Sequence, residues 1–138
     1  MSNADSLNML VTGAIWRAEQ LDAQHLKSRE AWSEVSMLEE QLATQFPVTN
    51  AQGKIARRGG VRAALKAGDS VRARRLAALY QSEKGAPKSF QIGLQEILDH
   101  ANSELASHYP YAARRYGINA SQDFATKWHQ TGPFGLAA

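Results

Sequence analysis

Apolar residues recur along the first third of the chain at a helical spacing. From Leu7, every seventh position reads Leu7, Ala14, Leu21, Ser28, Val35 and Leu42, and only Ser28 is polar. Leu10, Val11, Ala18, Ala31, Trp32 and Leu38 extend the stripe, and residues 6–46 contain no proline and a single glycine, Gly13. A seven-residue period predicts helices packed with a left-handed supercoil. The simplest reading is one long amphipathic helix over 6–46, ended by Pro47 and Asn50. Gln24, His25 and Ser28 make the centre of the stripe polar, so the alternative is two helices with a hinge. That polar centre argues against a continuous dimeric coiled coil, and the stripe is expected to be covered by the chain's own helices. His25 falls on the apolar seam, where a neutral, packed imidazole is expected. Trp16 projects opposite the stripe, near Met9, as an anchor either for another part of the chain or for self-association.

Gly59 and Gly60 read as punctuation, after which two short helices are predicted over 61–67 and 71–84. Gly68 suits the carboxyl end of the first, and Asp69 or Ser70 the amino cap of the second. Val61 and Leu65 share one face of the first helix, and Arg62 and Lys66 another. In the second helix, Ala73, Leu76, Ala77, Leu79 and Tyr80 form the apolar face. This alanine-rich hairpin resembles one helix pair of a tetratricopeptide repeat, and no second copy follows it. A further helix is predicted over 89–109, with Phe90, Leu94, Ile97, Leu98, Ala101 and Leu105 in one stripe. Short helices are expected over 111–117 and, after a capping-box pattern at Asn119–Gln122, through Trp128. No segment alternates with period two. The expected fold is therefore all-α, a compact bundle of five or six helices with a long amphipathic N-terminal helix. Residues 1–130 read as one domain and 131–138 as an extended or disordered tail.

Charge changes this picture more than composition does. Eight of the sixteen basic residues lie between Lys54 and Arg75, where Asp69 is the lone acid. They are Lys54, Arg57, Arg58, Arg62, Lys66, Arg72, Arg74 and Arg75. Residues 1–50 are net −4, residues 51–90 net +8 and residues 91–138 net −1, so the overall +3 conceals a strongly basic centre. Such a centre concentrates positive potential. These eight residues form the candidate binding site, with helix-borne cations neutralising the phosphates of DNA or RNA. The competing reading is a small inhibitor or adaptor that docks an acidic protein surface or uses its N-terminal helix. A helix-turn-helix reader of base edges fits poorly, because Arg74 falls where the second helix would supply a buried aliphatic. Tyr109, Tyr111, Tyr116, Phe124, Trp128 and Phe134, interleaved with Arg114 and Arg115, could stack on unpaired bases, but closing a small core is the commoner use of such residues.

Enzymatic chemistry finds little footing. The 138 residues include no cysteine, and His25, His100, His108 and His129 show no metal-ligand spacing. Glu30, Glu34, Glu39 and Glu40 read as solvated helix charges. Gly53-Lys54 lacks the first glycine and the hydroxyl residue of a phosphate loop, so no cofactor is expected. The N-terminus has no positively charged leader and no apolar run spans a membrane, which fits a cytoplasmic protein. The expectation is a non-enzymatic binding protein, with room for a homodimer or a subunit of a larger complex.

Overall fold

The first helix begins where its cap demands. Ser2 Oγ accepts from the Asp5 amide at 3.1 Å while the Asp5 carboxylate accepts from the Ser2 amide, a reciprocal capping box. The computed structural model describes residues 2–108. Five α-helices and no strand occur among them: α1 (Asn3–Ala23), α2 (Arg29–Ala43), α3 (Ala51–Lys66), α4 (Ser70–Gln81) and α5 (Lys88–His108). The chain divides into two units, Met1–Gln91 and Ile92–Ala138.

The continuous helix expected over 6–46 is instead two helices. At Gln24–Leu26 the backbone closes a Schellman motif, in which the Leu26 amide donates to Leu21 O at 2.9 Å and the His25 amide to Asp22 O at 3.0 Å. His25 takes the left-handed position, φ 56°, which glycine normally fills. Its side chain is exposed, not packed on a seam. Asp22 fastens the turn from the other side. One carboxylate oxygen accepts from the Ser28 hydroxyl and the other from the Trp32 indole N–H at 2.8 Å. The Ser28 bond, then that of Trp32, holds the Asp22 carboxyl below its ordinary range.

The second break also differs from expectation. Asn50 caps α3, accepting from the Gln52 and Gly53 amides, and the helix then runs straight through Gly59 and Gly60. These glycines are contact points rather than punctuation. The Glu39 carboxylate lies where a side chain at Gly59 would stand, and the Ser36 hydroxyl donates to Gly60 O at 2.8 Å. The α3–α4 turn follows expectation: Gly68 adopts φ 77° in a second Schellman motif, and Asp69 accepts from the Arg72 amide at 2.9 Å.

Within the first unit, α2 packs on α1 and α3, and α3 packs on α4. One core cluster joins Ala14, Ala18, Trp32, Val35 and Ala63, and another joins Val11, Leu42, Ala43 and Ala56. Early α1 thus meets late α2, and late α1 meets early α2, so the pair is antiparallel. Alanines at the α1 and α3 contacts let three helices approach closely. Ala14, Val35 and Leu42 of the seven-residue stripe are buried in these clusters. In the second unit, Leu94 and Leu98 are buried and Gln95 bonds Asp99 at 3.1 Å. The helices expected over 111–117 and 119–128, the aromatics from Tyr109 to Phe134, Arg114, Arg115, His129 and the 131–138 tail lie outside the described residues. So do the side chains of residues 104–108, with Leu105 of the expected stripe and His108 among them.

Candidate nucleic-acid interface

Neither α3 nor α4 contains an aspartate or glutamate. All eight basic residues of the central cluster lie on these two helices, and the fold sorts them into two groups.

Arg57 and Arg72 serve the interior. Arg57 is buried: its Nε and Nη2 donate to the two Glu83 oxygens at 2.7 and 3.0 Å, and Nη1 donates to Gly53 O at 3.0 Å. Its guanidinium carbon stands 5.5 Å from the centre of the Tyr80 ring. This arrangement follows from the helix beginning at Ala51. Gly53, Arg57, Gly60, Val61 and Ala64 then share its buried side. Arg72 donates from Nε to Ser36 Oγ at 2.9 Å and from Nη2 to Glu40 Oε1 at 2.6 Å, tying α4 to α2. Both arginines are joined to carboxylates, and neither is presented as an unpaired cation.

The other group faces outward. Lys54, Arg58, Arg62 and Lys66 recur every four residues along α3, a ridge that advances about 6 Å per step. Arg62 and Lys66 are exposed, and Lys54 and Arg58 half-buried. The Arg58 guanidinium lies 5.8 Å from the Phe90 ring centre and Lys66 Nζ lies 4.5 Å from that of Trp32. These contacts hold the cations over aromatic faces without neutralising them. Lys66 also helps keep Asp22 ionised. On α4, Arg75 is exposed and Arg74 half-buried. Among the described residues, Lys54, Arg58, Arg62 and Arg75 have no ion-pair partner. Ile55 and Val71 are exposed apolar residues between them.

Glu39 was expected to be a solvated charge, yet only 6% of it is exposed. Burial between α2 and α3 pushes its carboxyl up to about 7. The signal was present, since Glu39 follows Val35 by four residues and precedes Leu42 by three, on the same side of α2. The Tyr80 hydroxyl is raised to about 12, chiefly by burial and then by Glu40. His25 and His100 are exposed. Among the described residues, no three His, Asp or Glu side chains gather to hold a metal, and no helix is long and apolar enough to cross a membrane.

Comparison with protein-family models, curated proteins and solved structures returns no match to this chain.

Proposed function

We propose that this is a non-enzymatic accessory protein that binds the phosphate backbone of nucleic acid through the outer side of α3 and the exposed Arg75 of α4. The observation that carries this reading is the absence of any carboxylate from α3 and α4, combined with four cations there that lack an ion-pair partner among the described residues. Lys66 extends the ridge by a turn. Arg57 and Arg72 belong to its scaffold, so the working surface is smaller than the count of basic residues implies. Contacts of this kind position a protein on a backbone and carry no base sequence information. A cytoplasmic location and membership of a larger assembly accompany the reading.

The test is titration of the full chain with labelled duplexes of unrelated sequence over a salt series. Four neutralised phosphates give a slope of log K against log salt of about −3 to −4. Replacing Arg62 and Arg75 together with alanine should lower the slope magnitude by about 2 and weaken all sequences alike. No binding at low salt, or binding indifferent to salt, overturns the reading.

The competing reading, an inhibitor or adaptor docking an acidic protein surface, is favoured by the exposure of Ile55 and Val71 among the cations. Apolar side chains add to a protein interface and contribute little to a phosphate backbone. Ile55→Ala therefore separates the two: it leaves duplex binding intact and weakens a protein complex.

A further inference from the structure

We propose that α1 carries a self-association surface on which a second copy of this chain packs antiparallel, with Gly13 at the crossing point. The surface shares no residue with the cationic ridge, so this proposal stands or falls independently of phosphate binding.

The surface begins with exposure. Val11, Ala14 and Ala18 point α1 into the core, and Met9, Thr12, Gly13 and Trp16 occupy the opposite side at intervals of three, four and seven residues. Met9 and Trp16 are each 63% exposed, and the neighbouring Leu10 is 55% exposed. The Thr12 hydroxyl donates back to Asn8 O at 2.9 Å, so its polar atom is satisfied within the helix. The result is an apolar strip on a helix whose other side already fills the core.

Gly13 supplies the second observation. A mid-helix glycine lowers helix stability relative to alanine, and a close approach by another element is one use that offsets this cost. Gly53 and Gly59 meet that condition inside the fold, because other parts of the chain occupy the space a Cβ would take. Gly13 does not. A Cβ there would meet only the tip of Arg17, at an ordinary 3.6 Å. Nothing in its own unit requires the notch, and the notch opens between Met9 and Trp16.

The choice of a second copy as the occupant comes from self-complementarity. A two-fold interface requires that when residue i meets j, j also meets i. With the axis between Thr12 and Gly13, Met9 falls opposite the partner's Trp16 and Trp16 opposite the partner's Met9, a favourable sulfur–indole pairing. The same register keeps like charges apart. Asp5 falls opposite Gln20, Glu19 opposite Ser6, and Asp22 opposite Asn3. Arg17, whose tip reaches to 3.6 Å from the Cβ position of Gly13, is paired with Glu34 at 3.2 Å, so the charge beside the crossing is already compensated. Met9 and Trp16 together contribute roughly 300 Å² from each copy, and the helix rim supplies the rest of the about 1,000 Å² that a specific interface needs. The expected dimer is therefore of moderate affinity and concentration-dependent.

Sedimentation equilibrium of the full chain, from low micromolar to sub-millimolar, should show a monomer–dimer equilibrium. Trp16→Ala and Met9→Ala should each weaken it tenfold or more, with an unchanged circular dichroism spectrum. Gly13→Ala should raise the thermal midpoint of the dilute monomer and still weaken the dimer, a combination that a passive surface would not give. Because the chain has no cysteine, single introduced cysteines report the register. With a short bifunctional linker, Thr12→Cys should couple efficiently between copies and Gln20→Cys should not. A monomer at every concentration, a dimer indifferent to Trp16→Ala, or equal coupling at both cysteines would overturn the proposal.

Discussion

Arg57 and Glu83 form a two-bond ion pair that runs from the inner side of α3 to the turn that follows α4, with the arginine side chain only 6% exposed. A guanidinium in that position cannot be left without a partner. Removing one member of a buried pair leaves the other charge uncompensated, which costs more than the pair itself contributes. Glu83→Gln should therefore destabilise the protein by about 2–3 kcal/mol, less than for a fully buried pair because Glu83 is partly solvated. Arg62→Ala and Arg75→Ala should stay within about 0.5 kcal/mol, as exposed substitutions do. Urea unfolding of the three variants is the measurement. Equal effects would mean that the division between scaffold and surface cations is wrong.

His25 stands in the left-handed position of a turn that Gly68 fills elsewhere in the same fold. The two turns have the same hydrogen-bond pattern, so the difference between them is one Cβ. Replacing His25 with glycine relieves the steric penalty at φ 56° and should stabilise the chain by about 0.5–1 kcal/mol, with asparagine between the two. The side chain is exposed, so no packing is lost in exchange. A lower denaturation midpoint in His25→Gly would show that the imidazole contributes something to the turn.

Much of the architecture was legible in the residues, and the exceptions share a cause. Gly68 and Asp69 are a helix stop and a helix start of ordinary chemistry, and they marked the α3–α4 turn. The α1–α2 turn has the same backbone form but carries histidine, so no glycine marked it; the polar Gln24, His25 and Ser28 admitted a hinge there, but one continuous helix was the simpler reading. Gly59 and Gly60 misled in the opposite sense. Glycine serves both turns and close helix contacts, and the contact reading requires knowing that Glu39 faces α3. That error carried into the site. With a helix assumed to start at residue 61, Arg57 lay outside any helical projection. With α3 starting at Ala51, its place beside Gly60, Val61 and Ala64 follows directly. The abundance of cations was visible in the sequence, but their division between interior and surface depended on where one helix begins.

Glu39 gives the protein a specific pH dependence. Its carboxyl is raised from 4.5 to about 7 by burial against α3. Below 4.5 the folded and unfolded chains both carry the protonated acid, and the contribution to stability is fully present. As pH rises toward 7 the unfolded chain ionises while the folded chain keeps its proton, so stability falls; above 7 the loss is complete. The amount is about 1–2 kcal/mol after allowance for solvent screening. Glu39→Gln should remove this component, so that the variant gains on the wild type between about pH 5 and about pH 8. A constant difference between the two proteins across that range would show that Glu39 is ionised in both states.

Gly53 offers a prediction of opposite sign to Gly13, from the same substitution. A Cβ at Gly53 would overlap the Pro47 carbonyl oxygen and stand 2.8 Å from Arg57 Nη1 and 3.1 Å from Phe46 Cβ. The carbonyl belongs to the backbone entering α3 and cannot swing aside as a flexible side chain can. Gly53→Ala should therefore cost about 2–3 kcal/mol despite alanine's better helix propensity. Gly13→Ala, where the space is open, should stabilise the dilute monomer by about 0.5–1 kcal/mol. The Arg57 contact adds a second consequence. If the new methyl displaces the guanidinium from Glu83, the costs of Gly53→Ala and Glu83→Gln overlap, and the double variant should be less destabilised than the sum of the singles by about 1 kcal/mol. Additive costs would place the whole effect at the Pro47 carbonyl, and a stabilising Gly53→Ala would contradict the close approach itself.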